Sequence, residues 1–132
     1  MRIGALAAAT GTTTKTLRFY EQAGLLDEPQ RTPGGYRDYP PAATTRVAFI
    51  RTAQTAGLSL AEIRGILAVR DGGQAPCEHV TALLDQHLAD VERRIAELRA
   101  TRVMLRDLAR TASTTDPATC TEGDICRILT AS

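Results

Sequence analysis

The sequence contains few aromatic residues and no long hydrophobic run. Phe, Trp and Tyr together make up 4% of its 132 residues, and tryptophan is absent. This composition argues against a pocket lined by aromatic rings for a large planar ligand. No apolar run approaches the roughly 20 residues that a membrane-spanning helix requires, and no apolar signal core precedes Thr10. We therefore expect a cytoplasmic protein without membrane contacts.

The net charge is also low, at +1, and by itself gives no indication of nucleic-acid binding. Residues 1–70 nevertheless carry nine basic and five acidic side chains, whereas residues 71–132 carry seven basic and ten acidic ones. The first half is therefore suited to attract phosphate. Because 43% of the residues are hydrophobic, the chain has enough apolar material for a core, which argues against wholesale disorder.

Apolar spacing in the basic half predicts short helices separated by glycine-containing turns. The predicted elements are helices at about 3–9, 13–23, 41–53 and 60–70 and a β-hairpin at 27–40. Thr12 is the predicted N-cap of the second helix, and Ser59 and Glu62 form a capping box before the fourth. Two short helices followed by a hairpin predict a winged helix-turn-helix domain over residues 1–70, with a linker at 71–75.

The longest periodic segment predicts a dimerisation helix over residues 76–111. Apolar side chains recur along it at spacings of three and four, as in a coiled coil. This apolar seam consists of Leu84, Leu88, Val91, Ile95, Leu98 and Leu105. A helix of about 45 Å is too long to be buried against a small domain, so we expect it to pair with a second copy of the chain. The alternative is a helix that folds back over its own domain.

Cations and hydroxyls are concentrated on the predicted second helix and the hairpin. Lys15, the only lysine, lies three residues before Arg18, and Arg31 and Arg37 flank the hairpin turn. Such groups contact phosphates and base edges in DNA, with the helix in the major groove. The neighbouring hydroxyls belong to Thr13, Thr14 and Tyr20. The alternative is a solvated surface with scattered arginines.

Several spaced motifs resemble, in the same order, the MerR family of transcription regulators. They are Ile3-Gly4 with Leu6, Thr16-Leu17-Arg18-Phe19-Tyr20-Glu21, Gly24-Leu25-Leu26, Gly35-Tyr36-Arg37-Asp38-Tyr39 and Leu58-Ser59-Leu60-Ala61-Glu62-Ile63. The resemblance implies a mainly α-helical fold with a winged helix-turn-helix and an antiparallel coiled-coil homodimer. It also implies binding to double-stranded DNA at a palindromic promoter operator, where RNA polymerase responds to distortion of the DNA.

The resemblance also assigns roles to individual residues of the basic half. It makes Arg18, Arg31, Tyr36 and Arg37 phosphate contacts. Thr13, Thr14 and Lys15 become the candidates for contacts to base edges. Tyr20 belongs either with the phosphate contacts or with the packing beneath them.

Three cysteines, Cys77, Cys120 and Cys126, lie in the acidic half. Pro76 suits the first helical position, so Cys77 lies in the first turn of the long helix, where free amides favour a thiolate. Cys77 also shares the helical phase of the apolar seam. Cys120 and Cys126 enclose a short loop within residues 112–132, which we predict to form a metal-binding loop and a short C-terminal helix. Sparse cysteines in a reducing compartment indicate metal or redox chemistry, although buried structural thiols or a reversible disulfide are alternatives.

In metal-sensing members of the family that the chain resembles, a loop after the dimerisation helix and the start of the partner's helix supply the cysteines. A cysteine at the position of Cys77 resembles the sensors of divalent ions. Three thiolates suit Hg, Cd or Pb, and Zn requires a fourth ligand, for which His79 and Asp124 are candidates. The chain departs from the divalent sensors at Ala112, where they usually place the first loop cysteine.

Together these features predict a homodimeric regulator that senses a divalent heavy-metal ion and activates a metal-resistance or efflux promoter by distorting DNA. Two alternatives remain open at this stage, a thiol redox sensor on the same scaffold and a metal-buffering protein without a DNA role. We do not expect an enzyme, because the sequence contains no nucleophile–base constellation and no phosphate-binding loop.

Overall fold

The computed structural model describes residues 1–130, apart from the side chain of Asp124. The helices are α1 (Ile3–Thr10), α2 (Thr14–Gln22), α3 (Ala42–Thr55), α4 (Leu60–Asp71), α5 (Cys77–Thr114) and α6 (Arg127–Thr130), and the strands are β1 (Gln30–Arg31) and β2 (Arg37–Asp38). The chain divides into a compact first unit, Met1–His87, and a second unit that begins at Leu88. The predicted fold is confirmed as mainly helical, with an N-terminal helix-turn-helix and a long C-terminal helix.

Local capping determines where α2 and α4 begin. Thr13 Oγ1 accepts a hydrogen bond from the Thr16 amide at 3.1 Å, so Thr13 caps α2 and the prediction of Thr12 is wrong by one residue. The capping box of α4 is confirmed, because Ser59 Oγ accepts from the Glu62 amide at 3.1 Å while Glu62 Oε1 accepts from the Ser59 amide at 2.9 Å. These side chains satisfy amides that have no partner within the helix.

The first four helices share one apolar core. Leu6 of α1, Leu17 of α2, Ile50 of α3 and Ile63 of α4 are fully buried in it. Truncation of such a residue to alanine typically costs about 2 to 5 kcal/mol. The core therefore holds α2 in a defined orientation and leaves its other face exposed.

Strands β1 and β2 pair in antiparallel fashion, with Arg31 opposite Arg37. We call residues 30–38 the wing. Gly35 has a φ of +83°, a conformation that side chains disfavour, and its amide donates to the Thr32 carbonyl at 2.8 Å to close the turn. The Tyr39 amide donates to the Met1 carbonyl at 2.7 Å, which ties the N-terminus to the end of the wing.

Helix α5 is 38 residues long, and none of its described residues is buried. Val80 and Leu83 pack against the core of the first unit. The members of the apolar seam are exposed, from 38% for Ile95 to 68% for Leu98. The helix ends at Thr114, three residues beyond the predicted end. In this last turn the Thr111 and Ser113 hydroxyls donate to carbonyls of the preceding turn at 3.1 and 2.8 Å.

Within the described chain, no helix combines the length and the apolar character needed to cross a bilayer.

Candidate DNA-binding face and metal ligands

The exposed face of α2 carries the cations that the sequence predicts. Lys15 and Arg18 are exposed, and Thr14 is half-buried. Thr13 is exposed but already engaged, because its hydroxyl caps the helix and donates to Thr16 Oγ1 at 3.0 Å. Lys15 and Arg18 are thus the charged groups that α2 offers to a ligand, whereas the first role of Thr13 is to start the helix.

Tyr20 does not belong to this exposed face. It is 2% exposed, and its hydroxyl donates to Gln54 Oε1 of α3 at 2.7 Å. Burial, partly opposed by the Arg51 charge, raises its pKa, so the hydroxyl remains a hydrogen-bond donor at neutral pH. Of its two predicted roles, Tyr20 has the structural one, in the packing beneath α2, and it leaves the set of candidate phosphate contacts.

The wing presents its cations unequally. Arg31 is exposed, and its Nη1 donates to the Gly35 carbonyl at 2.9 Å. Arg37 is half-buried, with Nε 3.4 Å from Glu21 Oε2 of α2. Glu21 also accepts from the buried Tyr39 hydroxyl, whose pKa is raised by burial and by this hydrogen bond. Arg37 therefore joins the wing to α2, and much of its charge is balanced by Glu21.

Arg2 is a further cation at this face, and sequence reasoning missed it. Its guanidinium lies 4.3 Å from the centroid of the Tyr36 ring, a cation–π geometry, and Tyr36 is 56% exposed. A cleft between α1, α2 and the wing is lined by Arg2, Ile3, Gly4, Ala5, Arg18, Arg31, Gly35, Tyr36 and Arg37. The sequence shows a basic residue just before the first helix, but it does not show that this residue lies near the wing, because that contact depends on the tertiary structure.

Cys77, Cys120 and Cys126 are all free thiols. Cys77 lies in the first turn of α5, where the position of Pro76 predicted it, and is the first residue of that helix. Its side chain is exposed in the single chain. Cys120 is exposed, and Cys126 is half-buried immediately before α6. Among the described residues of a single chain, no three Cys, His, Asp or Glu side chains form a group that would hold a metal ion.

One contact orders the loop that carries Cys120 and Cys126. Arg127 Nη1 donates to the Thr119 carbonyl at 3.1 Å, which joins the residues on either side of the two cysteines. Ile125 has a φ of +56°, unusual for a β-branched residue, and its side chain is 97% exposed. The loop is thus closed on itself and projects an apolar side chain beside Cys126.

The structure describes the side chain of only one of the two candidate fourth ligands, His79 and Asp124. His79 is exposed on α5, and its Nε2 lies 3.5 Å from where a Cβ on Gly65 of α4 would stand. It is therefore placed over α4, two residues after Cys77. The side chain of Asp124 lies outside the described part of the chain.

Two short helices in a helix-turn-helix, a basic wing and a long carboxyl-terminal helix define a winged helix-turn-helix DNA-binding protein. Residues 1–69 match the family model described as MerR HTH family regulatory protein, and residues 44–108 match the model described as MerR, DNA binding. The chain belongs to the MerR family of transcription regulators, which confirms the resemblance found in the sequence.

Similar proteins include regulators named for metals. The ZntR homolog of Haemophilus influenzae is 39% identical over 108 residues, which cover 82% of this chain and 80% of that protein. The mercuric resistance operon regulatory protein of Pseudomonas fluorescens is also 39% identical, over 82% of this chain and 74% of its own length. The structure of PbrR691 from Ralstonia metallidurans CH34 in complex with lead(II) is 39% identical, with a TM-score of 0.75 and coverage of 91% and 94%.

Proposed function

We propose that the protein is a homodimeric transcription regulator that senses a soft divalent metal ion, Hg, Cd, Pb or Zn, and activates a metal-resistance or efflux promoter. The observation that carries this proposal is the position of Cys77 as the exposed first residue of α5, in the helical phase of the apolar seam. A partner helix that covers the apolar seam would therefore also lie next to the Cys77 thiol at the start of α5. Relatives named for mercuric resistance and a lead(II) complex support metal as the effector.

The apolar seam supports pairing with a second copy. Its side chains are exposed over six turns of α5 in the single chain, and an apolar stripe of this length is unfavourable in water. An identical stripe on a second chain is a complementary cover, and two-fold pairing brings the same residues of both chains together. Two copies in antiparallel orientation place the start of one α5 near the end of the other.

The metal site of this proposal takes ligands from both chains. Cys77 of one chain and Cys120 and Cys126 of the other would supply three thiolates, a soft donor set suited to Hg, Cd or Pb. The loop closed by Arg127 and Thr119 presents both of its cysteines as one element. Zinc would require His79 or Asp124 as a fourth ligand.

The DNA-binding part of the proposal uses the cations of the first unit. Lys15, with Thr13 and Thr14 beside it, faces base edges, and Arg18, Arg31 and Tyr36 contact phosphates of one half of a palindromic operator. Arg37 supports the wing through Glu21 and is a secondary phosphate contact. Metal that ties the two chains together would shift the pose of both DNA-binding domains, so that deformation of the promoter DNA carries the signal to RNA polymerase.

The test is complementation between two inactive variants. Cys77→Ser and Cys126→Ser homodimers are expected to lose thiolate-to-metal absorption with mercury(II), cadmium(II), lead(II) and zinc(II), together with metal-dependent transcription. A heterodimer of the two variants has one site with all three cysteines and one with a single cysteine, so mixing and refolding should restore part of both signals. His79→Ala tests the fourth ligand, and only the zinc signal should depend on it.

Three outcomes would contradict the proposal. Mixed variants that restore nothing would exclude a site shared between chains. A DNA response that follows oxidation of Cys120 and Cys126 without metal binding would favour the thiol redox sensor. Full metal-dependent function in a Lys15→Ala, Arg18→Ala double variant would favour a metal-buffering protein without a DNA role.

A further inference from the structure

Helix α4 meets the first turns of α5 along one of its faces. His87 Nε2 of α5 lies 2.8 Å from Oε1 of Glu62 in the first turn of α4. One turn further along α4, a Cβ added to Gly65 would lie 3.5 Å from His79 Nε2. Positions 62 and 65 are about 60° apart around a helix, so both contacts belong to the same face. The start of α5 therefore lies against α4 at two points.

The opposite face of α4 reaches the end of α2. Arg64 follows Glu62 by two residues, which places it about 160° around the helix. Its Nε and Nη2 both donate to the Ala23 carbonyl, at 3.1 and 2.7 Å. Ala23 is the C-cap of α2, where carbonyls have no donor within the helix. The guanidinium supplies donors and a positive charge that the helix dipole favours at this end.

A second arginine connects the same segment to the other end of α4. Arg46 of α3 donates through Nε to the Leu25 carbonyl at 2.8 Å. Its Nη1 and Nη2 donate to Oδ1 and Oδ2 of Asp71 at 2.9 and 3.1 Å. Asp71 is the last residue of α4, and its hydrogen bonds with Arg46 lower the pKa of its carboxyl. Both ends of α4 are thus linked to the residues that terminate α2.

These links differ in kind from the packing around them. Helix α4 packs against α3, and α2 packs against α1, with one apolar core shared among the four. Apolar contacts are non-directional and tolerate sliding, whereas a guanidinium that donates two hydrogen bonds fixes the position of its acceptor. A small rotation of α4 would therefore act on α2 first through the carbonyls that the arginines hold.

We propose that α4 transmits a displacement of α5 to α2, with Arg64 and Arg46 as positioning residues at the Ala23 and Leu25 carbonyls. The inference rests on the proposed function, because it takes α5 as the helix that responds to metal and α2 as the helix that reads DNA. It assigns the regulatory response to side chains that belong to neither the cysteine set nor the DNA-binding face. Changes at these positions should alter the response while both binding sites remain intact.

A double-mutant cycle on the full chain, followed by amide hydrogen exchange, tests this coupling. The Ala23 and Leu25 amides each donate to a carbonyl of α2 at 2.9 Å, so their exchange reports opening of its last turn. His87→Ala releases α5 from Glu62 and should speed exchange at both amides about fivefold, the factor expected for one lost hydrogen bond. In an Arg64→Ala background, His87→Ala should cause no further change at these amides.

Controls separate transmission from a loss of stability. Arg70→Ala removes an exposed arginine from the last turn of α4 and should leave exchange at Ala23 unchanged. His87→Gln retains a side-chain donor for Glu62 and should restore the wild-type rate. If His87→Ala speeds exchange at the buried Ile50 of α3 by the same factor as at Ala23, the effect is a general destabilisation and the proposal is wrong. Independent, additive effects of His87→Ala and Arg64→Ala would also overturn it, because coupling would then run through the shared core.

Metal binding supplies the arm that concerns function. Saturation of the wild type with cadmium(II) should change exchange at Ala23 and Leu25. Arg64→Ala should retain the thiolate-to-cadmium absorption and lose that change. If Arg64→Ala responds to cadmium(II) as the wild type does, α4 does not carry the signal through Arg64, and metal sensing stands.

Failure of the proposed function gives a different result. If mercury(II), cadmium(II), lead(II) and zinc(II) all leave the wild-type thiol absorption unchanged, the protein does not sense these metals. The cycle between His87 and Arg64 needs no metal and decides by itself whether α4 couples α5 to α2.

Discussion

His87 Nε2 of α5 lies 2.8 Å from Oε1 and 3.0 Å from Oε2 of Glu62, the carboxylate that completes the capping box of α4. Oε1 of Glu62 also accepts from the Ser59 amide at 2.9 Å. One carboxylate thus starts α4 and holds the third turn of α5 against it. The hydrogen bond from the Ser59 backbone, followed by the one from His87, lowers the pKa of Glu62.

Glu62→Gln should separate the two roles of this carboxylate. Glutamine retains an oxygen for the Ser59 amide but lacks the charge that faces His87. At about pH 7 we therefore expect the Tm of the Glu62→Gln variant to lie below that of the wild type and above that of Glu62→Ala. Folding lowers the pKa of Glu62. The charged carboxylate therefore stabilises the fold fully at pH values above the unfolded pKa of about 4.3, and this stabilisation is lost as the pH falls through the folded pKa.

The gap in Tm between wild type and Glu62→Gln should therefore narrow below about pH 4. Thermal melts followed by circular dichroism across this range provide the measurement. Glu78→Gln, which removes an exposed carboxylate from the first turn of α5, is the matched control and should change Tm little. A gap that stays constant, or that widens on acidification, would contradict the role of the Glu62 charge.

Tyr20→Phe tests whether this residue is structural. The change removes the hydroxyl that donates to Gln54 and leaves a part-buried acceptor without its donor, so the free energy of unfolding should fall by about 1 kcal/mol. DNA affinity should remain at the wild-type value, because the hydroxyl does not face solvent. Urea unfolding and DNA titration measure the two effects, and Arg18→Ala is the control that weakens DNA binding. Weaker DNA binding by Tyr20→Phe at unchanged stability would restore it as a phosphate contact.

Thr13→Ala removes the observed N-cap of α2 and should lower the free energy of unfolding by about 1 kcal/mol. Thr13→Ser retains the capping oxygen and should be nearly neutral. Thr12→Ala is the matched control, since it removes the residue that sequence spacing selected as the cap. Equal losses for Thr12→Ala and Thr13→Ala in urea unfolding would show that the cap is not specific to Thr13.

Leu98→Asp should convert the proposed dimer to a monomer, because it places a charge in the middle of the apolar seam. Leu98 is 68% exposed in the single chain, so the first unit should still fold after the change. Ala100→Asp introduces the same charge two residues further on, about 160° around the helix, and should remain dimeric. Sedimentation equilibrium gives the masses, and a dimeric Leu98→Asp would exclude the seam as the interface.

Sequence patterns predicted those elements that depend on neighbours a few residues apart. The capping box at Ser59 and Glu62, the hairpin turn before Tyr36 and the start of α5 after Pro76 all follow from local hydrogen bonding and permitted backbone angles. The cap of α2 was displaced by one residue because adjacent threonines satisfy the same spacing rule. The local sequence predicts the type of a secondary-structure element more reliably than it predicts the residue at which the element begins.

Contacts between distant residues were beyond these patterns. The Tyr20 hydroxyl and its acceptor Gln54 are 34 residues apart, and His87 and Glu62 are 25 apart. The nearness of Arg2 to Tyr36 likewise depends on how the core orients α1 and the wing. Periodicity indicates which face of a helix is apolar, but it does not identify the partner of a polar group on that face.

The sequence alone determined the helices, the apolar seam of α5 and the resemblance to the family, because these depend on local spacing and on the order of short motifs. Only the tertiary structure decided that Tyr20 is buried, that Glu21 balances Arg37, and that Arg2 joins the basic cleft. The physical reason is that a side chain's environment is set by the core that brings remote segments together. Whether a basic or hydroxyl side chain is exposed or buried depends on which remote segments pack against it.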